Sequence, residues 1–138
     1  KDISQEADQL IKKFWPTSLT LVFNAVTQLP SVLTADTGKI GIRLPKNEWT
    51  RRLIETVGCP LTATSANKSG GRNTRTAEEV AHIFGNDLDL IIDSGPAPGG
   101  KVSTLVDTTL SPPVLLRHGA IAEQEIDSCL KNKCNLIP

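Results

Sequence analysis

The chain has 138 residues, of which 38% are hydrophobic and 22% charged, and its 15 basic residues balance its 15 acidic ones. This composition is typical of one globular domain that can bury a core, and the zero net charge argues against non-specific nucleic-acid binding through a broad basic field. Because no apolar run approaches the length of a bilayer span and no signal peptide is recognisable, we expect a cytoplasmic protein with no membrane partner.

The start of the chain predicts a helix followed by a strand. Apolar residues recur at helical spacing from residue 1 to residue 15, and Pro16 ends the helix because the residue before a proline avoids helical dihedral angles. Residues 19–24 are mostly apolar and β-prone, as expected of an interior strand. Residues 28–36 then form a loop or a short helix.

A second strand and a second helix are predicted over residues 40–44 and 47–57. Asn47 caps this helix and Gly58 ends it. We expect Trp49, which belongs to the apolar stripe of the helix, to lie in the core rather than to hold a ligand.

The stretch from residue 59 to residue 73 predicts a buried strand that ends in a polar loop. Side chains alternate between the two sides of the strand as far as residue 66, and the residues that follow are small, turn-prone and rich in hydroxyls and amides. Packing does not explain that composition, so we interpret the loop as a surface that meets a polar ligand at the carboxyl end of a strand. The alternative is an ordinary Ser/Asn/Gly loop.

A third helix, over residues 76–84, is predicted by the capping box that Thr76 and Glu79 form at its start. We expect His82 on the surface of this helix. Residues 90–92 predict another short strand, which a Gly- and Pro-rich loop follows.

The end of the chain predicts two strands, 103–107 and 114–117, and a helix, 122–131, before a loose tail at 132–138. The link between the two strands has the length of a hairpin, so the strands should pair antiparallel. Because strands and helices alternate along the chain, we predict an α/β fold with a mixed sheet and helices on its faces.

Polar residues mark the ends of three predicted strands: Ser65, Ser103 and Arg117. Lys39 and Arg43 fall on one side of another strand, where they could grip an anion; a solvated strand edge is an equal alternative. No His is close in sequence to a candidate nucleophile, and no Walker A, HExxH or EF-hand pattern occurs, so we predict no catalytic residue. We expect instead that cations and N–H or O–H donors position an anionic, phosphate-bearing substrate.

Neither a disulfide framework nor a protein metal site is indicated. Cys59, Cys129 and Cys134 are odd in number and form no CxxC pair, as expected of reduced thiols. Asp93 and Asp107 could bind a metal, but single acidic residues at strand ends are more often caps or turn residues.

Five segments resemble, in this order, motifs of the YrdC/Sua5/YciO family: W-P-T-S-L-T at 15–20, G-I-R-L-P at 41–45, T-S-A-N-K-S-G at 64–70, S-T-L-V-D at 103–107 and L-R-H-G-A-I at 116–121. The resemblance runs from about residue 14 to residue 121. It implies a twisted, open, mixed α/β sheet of the YrdC type, which we divide into a partial domain, 1–122, and a C-terminal helix and tail, 123–138.

The resemblance also implies an activity. Enzymes of this family make threonylcarbamoyl-AMP from L-threonine, bicarbonate and ATP, with Mg²⁺, and release pyrophosphate. The product supplies the threonylcarbamoyl group of the modified adenosine t6A at position 37 of tRNA. ATP, L-threonine and bicarbonate are therefore the expected small-molecule partners, and tRNA or another RNA and the proteins of the t6A pathway are the expected macromolecular ones.

Residues of this chain that occupy positions of the family motifs are expected to have the roles that the family gives to those positions. The resemblance implies a nucleotide-binding set of Lys39, Ser65, Asn67, Asn73 and Arg117. It implies a threonine-binding set of Arg43, Ala63 and Ser103, in which a guanidinium suits the carboxylate of the amino acid.

The chain also departs from the family pattern. The family's P-T-x-T-x-Y-G-L-G-like segment and its K-x-R motif do not occur, so the resemblance covers the later part of the family domain and we expect this chain alone to be weak or inactive. Thr17 and Ser18 replace a Gly-Pro pair, Ala63 replaces a serine and His118 replaces a proline. Two alternatives stay open: a non-catalytic RNA- or nucleotide-binding module of the same fold, and a carbamoyl-transfer domain like that of hydrogenase-maturation proteins.

Overall fold

The computed structural model describes residues 3–68 and 70–130. The predicted start of the first helix at residues 1 and 2, the predicted end of the last helix at residue 131 and the predicted tail at 132–138 lie outside the described residues. No helix in the described part of the chain is long and apolar enough to cross a bilayer.

The chain divides into two compact units. The first is formed by Lys1–Gly58 together with Lys101–Pro138, and the second by Cys59–Gly100. All the strands that the structure describes belong to the first unit.

The first unit contains a four-stranded sheet of β1 Leu19–Asn24, β2 Lys39–Ile42, β3 Thr104–Asp107 and β4 Val114–Arg117. The order of the strands across the sheet is β2-β1-β3-β4. Strand β1 runs antiparallel to β2 and parallel to β3, and β3 and β4 form an antiparallel pair with an irregularity between Leu105 and Val106. The predicted mixed α/β sheet and the hairpin of its last two strands are therefore confirmed.

The described helices are α1 Gln5–Phe14, α2 Ser31–Thr34, α3 Glu48–Val57, α4 Ala77–Phe84 and α5 Glu123–Leu130. Each lies within the range that the sequence predicts for it. Helix α4 belongs to the second unit and the other four belong to the first.

One face of the sheet packs against α1 and α5 and forms the core. Leu19 and Leu21 of β1 and Val106 of β3 are at most 1% exposed, because alternate side chains of a strand point to the same face. They form one apolar cluster with side chains of the two helices: Leu10, Phe14, Ile126 and Leu130. Thr20, between Leu19 and Leu21 on β1, and Leu105, next to Val106 on β3, point to the opposite side, which we call the second face.

Local hydrogen bonds set the ends of α1 and α3. The Ser4 hydroxyl accepts a hydrogen bond of 3.1 Å from the N–H of Ala7 at the start of α1, and the Asn47 side chain accepts one of 3.0 Å from the N–H of Thr50 at the start of α3. Gly58 ends α3 with a φ of 73°, as predicted, because glycine has no Cβ to oppose a left-handed conformation.

The prediction that Trp49 lies in the core is wrong. No residue of α3 is buried, and Trp49 is 72% exposed. Helical spacing identifies an apolar stripe, but it shows only that apolar residues share a face and not that another element covers that face.

The two strands predicted in the second unit are wrong as well. Residues 59–66 and 90–92 form no strand, and Leu61 is 44% and Leu90 75% exposed. A strand needs a neighbour that completes its backbone hydrogen bonds, and the described strands find their neighbours within the first unit.

Helix α4 of the second unit begins as predicted. The Thr76 hydroxyl accepts a hydrogen bond of 3.1 Å from the N–H of Glu79. The carboxylate of Glu79 accepts a hydrogen bond of 2.6 Å from the N–H of Arg75, the residue before the cap, so the box closes one residue earlier than in its usual form. His82 is exposed, as predicted.

Candidate functional site

Ser103 and Arg117 form a hydrogen-bonded pair on the second face, where β3 begins and β4 ends. Arg117 Nη2 donates to the Ser103 hydroxyl at 3.0 Å, and Arg117 Nε donates to the Ser103 carbonyl at 3.1 Å. These two contacts use one edge of the guanidinium. Because a guanidinium has five N–H donors, its other edge can still bind an anion.

Thr20 extends this pair to β1. The Thr20 hydroxyl lies 2.9 Å from the Ser103 hydroxyl, and one of the two donates to the other. The methyl group of Thr20 faces Gly41 of β2, where an added Cβ would lie 3.3 Å from it. Thr20 therefore sits between β2 and β3 with its hydroxyl toward Ser103.

The pairing of β1 with β2 brings Arg43 to the same end of the sheet. Strand β2 ends at Ile42, which pairs with Leu21, so that the next residue, Arg43, comes beside Thr20 in an antiparallel register. Arg43 is exposed. We call the resulting line the polar row: Arg43, Thr20, Ser103 and Arg117. At the usual spacing of strands it extends over about 15 Å.

Close-packed backbone holds the segment that carries Ser103. The N–H of Ala120 donates to the carbonyl of Val102 at 2.8 Å. A Cβ added to Gly119 would lie 2.3 Å from the backbone nitrogen of Thr104, so only glycine fits at this position. These contacts hold the end of β4 against the start of β3, and they thereby fix the backbone position of Ser103.

Lys39 lies at the other end of β2, away from the polar row. Its ammonium contacts the Asp107 carboxylate at 2.8 Å. The second carboxylate oxygen accepts hydrogen bonds of 2.8 Å and 2.6 Å from the N–H and the hydroxyl of Thr109. Four residues of strand place the Cα atoms of Lys39 and Arg43 about 13 Å apart, and Asp107 already contacts the ammonium of Lys39.

The electrostatics of this ion pair favour a charged Asp107. Asp107 is 4% exposed, and burial by itself would raise its pKa. The hydrogen bonds from Lys39 and Thr109 and the charge of Lys39 outweigh that effect and hold the pKa of Asp107 below its ordinary value of 3.8. A phosphate that bound Lys39 would compete with this carboxylate for the same ammonium.

In the second unit, Asn67 closes the polar loop. Its Nδ2 donates to the carbonyls of Lys68 and Gly71 at 2.9 Å and 3.2 Å, and the N–H of Gly71 donates to the carbonyl of Lys68 at 2.7 Å. The hydroxyl of Thr74 donates a hydrogen bond of 2.7 Å to the carbonyl of Ala66. The Oδ1 of Asn67 is buried and accepts no hydrogen bond from the described residues.

A groove of about 500 Å³ lies between this loop and α4. An ion pair of 3.3 Å between Arg72 and Glu79 crosses part of it. The lining residues are Lys68, Gly71, Arg72, Asn73, Thr74, Glu79, His82 and Ile83. The groove thus combines basic, amide and hydroxyl groups, which can meet an anionic ligand.

The structure brings only some of the predicted site residues together. Ser103 and Arg117 are bonded to each other and Arg43 stands in the same row, whereas Lys39 is bonded to Asp107. The remaining four predicted residues belong to the second unit. There Asn67 closes the polar loop, Asn73 lines the groove, and Ala63 and Ser65 are exposed.

Two residues of these networks were not among the predicted site residues. Thr20 is the last residue of the W-P-T-S-L-T segment and a polar residue between two leucines of an interior strand, and both features are signals that could identify it. Asp107 was considered only as a possible metal ligand or turn residue, and its partner, Lys39, is 68 residues away in sequence. Within residues 3–68 and 70–130, no group of three or more His, Cys, Asp or Glu side chains could hold a metal ion.

Comparisons with known proteins point to one family. The family model Sua5/yciO/yrdC, described as telomere recombination, matches residues 1–119. A threonylcarbamoyl-AMP synthase of Pyrococcus abyssi is 39% identical over 130 residues, which are 94% of this chain and 38% of that protein. A threonylcarbamoyl-AMP synthase of Bacillus subtilis is 35% identical over 127 residues, which are 91% of this chain and 37% of that protein.

Solved structures agree with the sequence comparison. The crystal structure of Pyrococcus abyssi Sua5 complexed with L-threonine has a TM-score of 0.87 and 38% identity, and the match covers 96% of this chain and 39% of that one. The crystal structure of Escherichia coli YciO has a TM-score of 0.74 and 29% identity, over 86% of this chain and 58% of that one. This chain therefore spans less than half of the length of the Pyrococcus abyssi and Bacillus subtilis synthases.

Proposed function

The chain belongs to the Sua5/YciO/YrdC family, and we propose that it carries the substrate-binding part of a threonylcarbamoyl-AMP synthase. The polar row is the observation that carries this proposal. It offers two guanidinium groups and a hydrogen-bonded pair of hydroxyls on one face of a rigid sheet. Such an arrangement suits a small substrate with more than one anionic group.

The proposed reaction needs this kind of site. L-threonine and bicarbonate combine through a bond from the threonine nitrogen to the bicarbonate carbon, with loss of water, to give a carbamate. A carbamate oxygen then attacks the α-phosphorus of ATP, and pyrophosphate leaves. Negative charge gathers on the phosphoryl oxygens during that attack, so positioned cations and donors lower the barrier without a catalytic nucleophile from the protein.

Each predicted residue receives a role in this proposal. Arg43 binds the carboxylate of L-threonine, and Ser103 donates to the same amino acid. Arg117, held by Ser103, binds a phosphate through its outer edge, and Lys39 reaches the nucleotide only by leaving Asp107. For the residues of the second unit we keep the roles that the family motifs imply: Ala63 as a contact of the amino acid, and Ser65, Asn67 and Asn73 as contacts of the nucleotide.

The remaining partners follow from the same proposal. Mg²⁺ would arrive with ATP, since this ion commonly takes phosphate oxygens and water as ligands. The product, threonylcarbamoyl-AMP, would be used in the t6A modification of tRNA, and the proteins of that pathway would be its partners. A cytoplasmic location is supported by the free thiols of Cys59 and Cys129, because such thiols fit a reducing compartment.

Calorimetric titration with L-threonine tests the proposal most directly. We expect the chain to bind L-threonine, and to bind L-threonine amide, which lacks the carboxylate, at least about tenfold more weakly, because a charge-assisted contact is lost. Equal affinity for the acid and the amide would contradict the proposed role of the polar row. Formation of labelled threonylcarbamoyl-AMP from ATP, bicarbonate and L-threonine then measures turnover.

A further inference from the structure

We infer that Thr20 is a positioning residue for the anionic substrate, because its hydroxyl orients the hydroxyl of Ser103 and, through it, the guanidinium of Arg117. This inference rests on the proposed function, since it requires that the polar row binds substrate. It gives a role to Thr20, the last residue of the W-P-T-S-L-T segment, to which the resemblance gave no role, and it specifies which atoms face the ligand.

The proton count of the two hydroxyls gives the first step. A serine hydroxyl offers one proton and two lone pairs. The Ser103 hydroxyl accepts from Arg117 Nη2 at 3.0 Å, and its other protein contact is the Thr20 hydroxyl at 2.9 Å. Whichever of the two hydroxyls donates in that contact, one proton of the pair is left over for another acceptor.

The leftover proton determines the chemistry of the ligand. When Thr20 donates in that contact, the leftover proton belongs to Ser103, whose oxygen contacts Arg117 Nη2, and the remaining groups of Arg117 are all donors. A ligand oxygen that binds here must accept from both, as a carboxylate or a phosphoryl oxygen does and an ammonium cannot. Ser103 is 8% exposed, so water competes weakly for its proton and the orientation matters.

The surroundings of Thr20 explain why it can hold this geometry. Leu19 and Leu21 on either side of it are 0% exposed and anchor β1 on the core face. The methyl group of Thr20 lies against Gly41, where an added Cβ would come within 3.3 Å of it. A β-branched side chain has few χ1 choices, and these contacts point its hydroxyl to β3.

Two substitutions separate the hydroxyl of Thr20 from its shape. Thr20→Val keeps the branched shape and removes the hydroxyl, whereas Thr20→Ser keeps the hydroxyl. We expect Thr20→Val to weaken L-threonine binding about fivefold, the usual value of one hydrogen bond, and Thr20→Ser to stay close to the wild type. Unchanged affinity in a folded Thr20→Val protein would overturn the inference.

A matched control shows whether a lost hydroxyl on the same sheet is enough to cause the effect. The hydroxyl of Thr108 donates to the carbonyl of Val22 at 2.7 Å, and Thr108 follows the end of β3 that lies away from Ser103. Thr108→Val should therefore lower the unfolding temperature and leave L-threonine affinity unchanged. An equal loss of affinity in Thr108→Val and Thr20→Val would mean that Thr20 acts only through stability, which contradicts a positioning role.

A measurement without ligand distinguishes this inference from the proposed function. The NMR signal of Arg117 Nε–H, assigned by its loss in Arg117→Lys, reports how firmly Ser103 holds the guanidinium. We expect its exchange with water to speed up about fivefold in Thr20→Val and to stay unchanged in Thr20→Ser and Thr108→Val. Faster exchange in a protein that binds no L-threonine would support positioning by Thr20 and overturn only the function proposed above, whereas unchanged exchange in Thr20→Val overturns the inference.

Discussion

The ammonium of Lys39 and the carboxylate of Asp107 lie 2.8 Å apart and join the first residue of β2 to the last residue of β3 across the strand between them. Val22 of β1 pairs with Asp107 and is 9% exposed beneath this bridge. At the opposite end of the sheet, the hydrogen bonds among Thr20, Ser103 and Arg117 join β1 to β3 and β4. The second face is thus tied at both ends, by an ion pair at one and by these hydrogen bonds at the other.

The Lys39–Asp107 bridge should contribute to stability. We expect Asp107→Asn to lower the free energy of unfolding by about 2 kcal/mol, because a buried group loses charged hydrogen bonds. Urea unfolding at pH 7 measures this change. Asp8→Asn is the matched control, since Asp8 and Lys12 form a bridge of 2.6 Å whose side chains are 48% and 75% exposed, and an exposed pair contributes little. Equal effects of the two substitutions would contradict a structural role for the buried bridge.

The pH dependence of this contribution has a definite sign. Because the pKa of Asp107 in the folded chain lies below its ordinary value of 3.8, the unfolded chain binds a proton first as the pH falls. The stability that Asp107 contributes is therefore fully present well above pH 3.8 and is lost as the pH falls through the folded pKa. The difference in unfolding free energy between wild type and Asp107→Asn should be constant from pH 7 down to about pH 5 and shrink below that. A difference that grew on acidification would refute the lowered pKa.

Gly119 should tolerate no side chain. A Cβ at this position would lie 2.3 Å from the nitrogen of Thr104 and 2.4 Å from the carbonyl carbon of Ser103, so Gly119→Ala must push β3 and β4 apart. We expect a loss of about 3 kcal/mol or more in unfolding free energy, as for other cases of severe overpacking. Gly38→Ala is the control, since that Cβ meets nothing within 4 Å and only its φ of +68° is strained, which costs about 1 kcal/mol. Comparable thermal shifts in the two variants would show that β3 and β4 can separate at little cost.

The sequence predicted the elements of the first unit because each has a local signal. Asn47 caps a helix, Pro16 and Gly58 stop helices, and a mostly apolar, β-prone run marks β1. The strands predicted at 59–66 and 90–92 failed for a different reason. Their composition is that of strands, but a strand also depends on a partner for its backbone hydrogen bonds, and composition carries no information about partners.

The candidate site was predictable as residue types but not as contacts. The motifs place Ser103 and Arg117 near strand ends, and the hairpin between β3 and β4 explains why they meet. Thr20 joins them from 83 residues away through a parallel pairing of β1 with β3. Period-two alternation correctly put Lys39 and Arg43 on one side of a strand, yet it could not reveal that Asp107 neutralises one of them.

Arg43 and Arg117 should affect different ligands. We expect Arg43→Ala to weaken L-threonine binding about 10- to 100-fold, the usual cost of a lost charged hydrogen bond, with a smaller effect on ATP. Arg117→Lys should weaken ATP binding more than L-threonine binding, because an ammonium cannot keep the two contacts to Ser103 and also offer a second edge. Calorimetry with each ligand measures both affinities. If Arg43→Ala changed ATP affinity alone, the assignment of the amino-acid carboxylate to Arg43 would be wrong.

The cap of α3 should control the local stability of that helix and little else. Asn47 accepts hydrogen bonds of 3.0 Å and 3.2 Å from the N–H and the hydroxyl of Thr50, and no residue of α3 is buried. A helix of this length is marginal without packing, so losing about 1 kcal/mol at its cap should open it. We expect Asn47→Ala to speed amide exchange throughout α3 and to leave the unfolding temperature of the sheet nearly unchanged.

Helix α1 provides the control for this last prediction. Its cap, Ser4, accepts a similar hydrogen bond of 3.1 Å, but α1 buries Ala7, Leu10 and Phe14 against the sheet and α5. Local opening of α1 would expose these core side chains, so Ser4→Ala should lower the unfolding temperature of the whole first unit instead of opening one helix. A fall in that temperature of the same size in Asn47→Ala would mean that α3 unfolds together with the core, although its side chains do not belong to it.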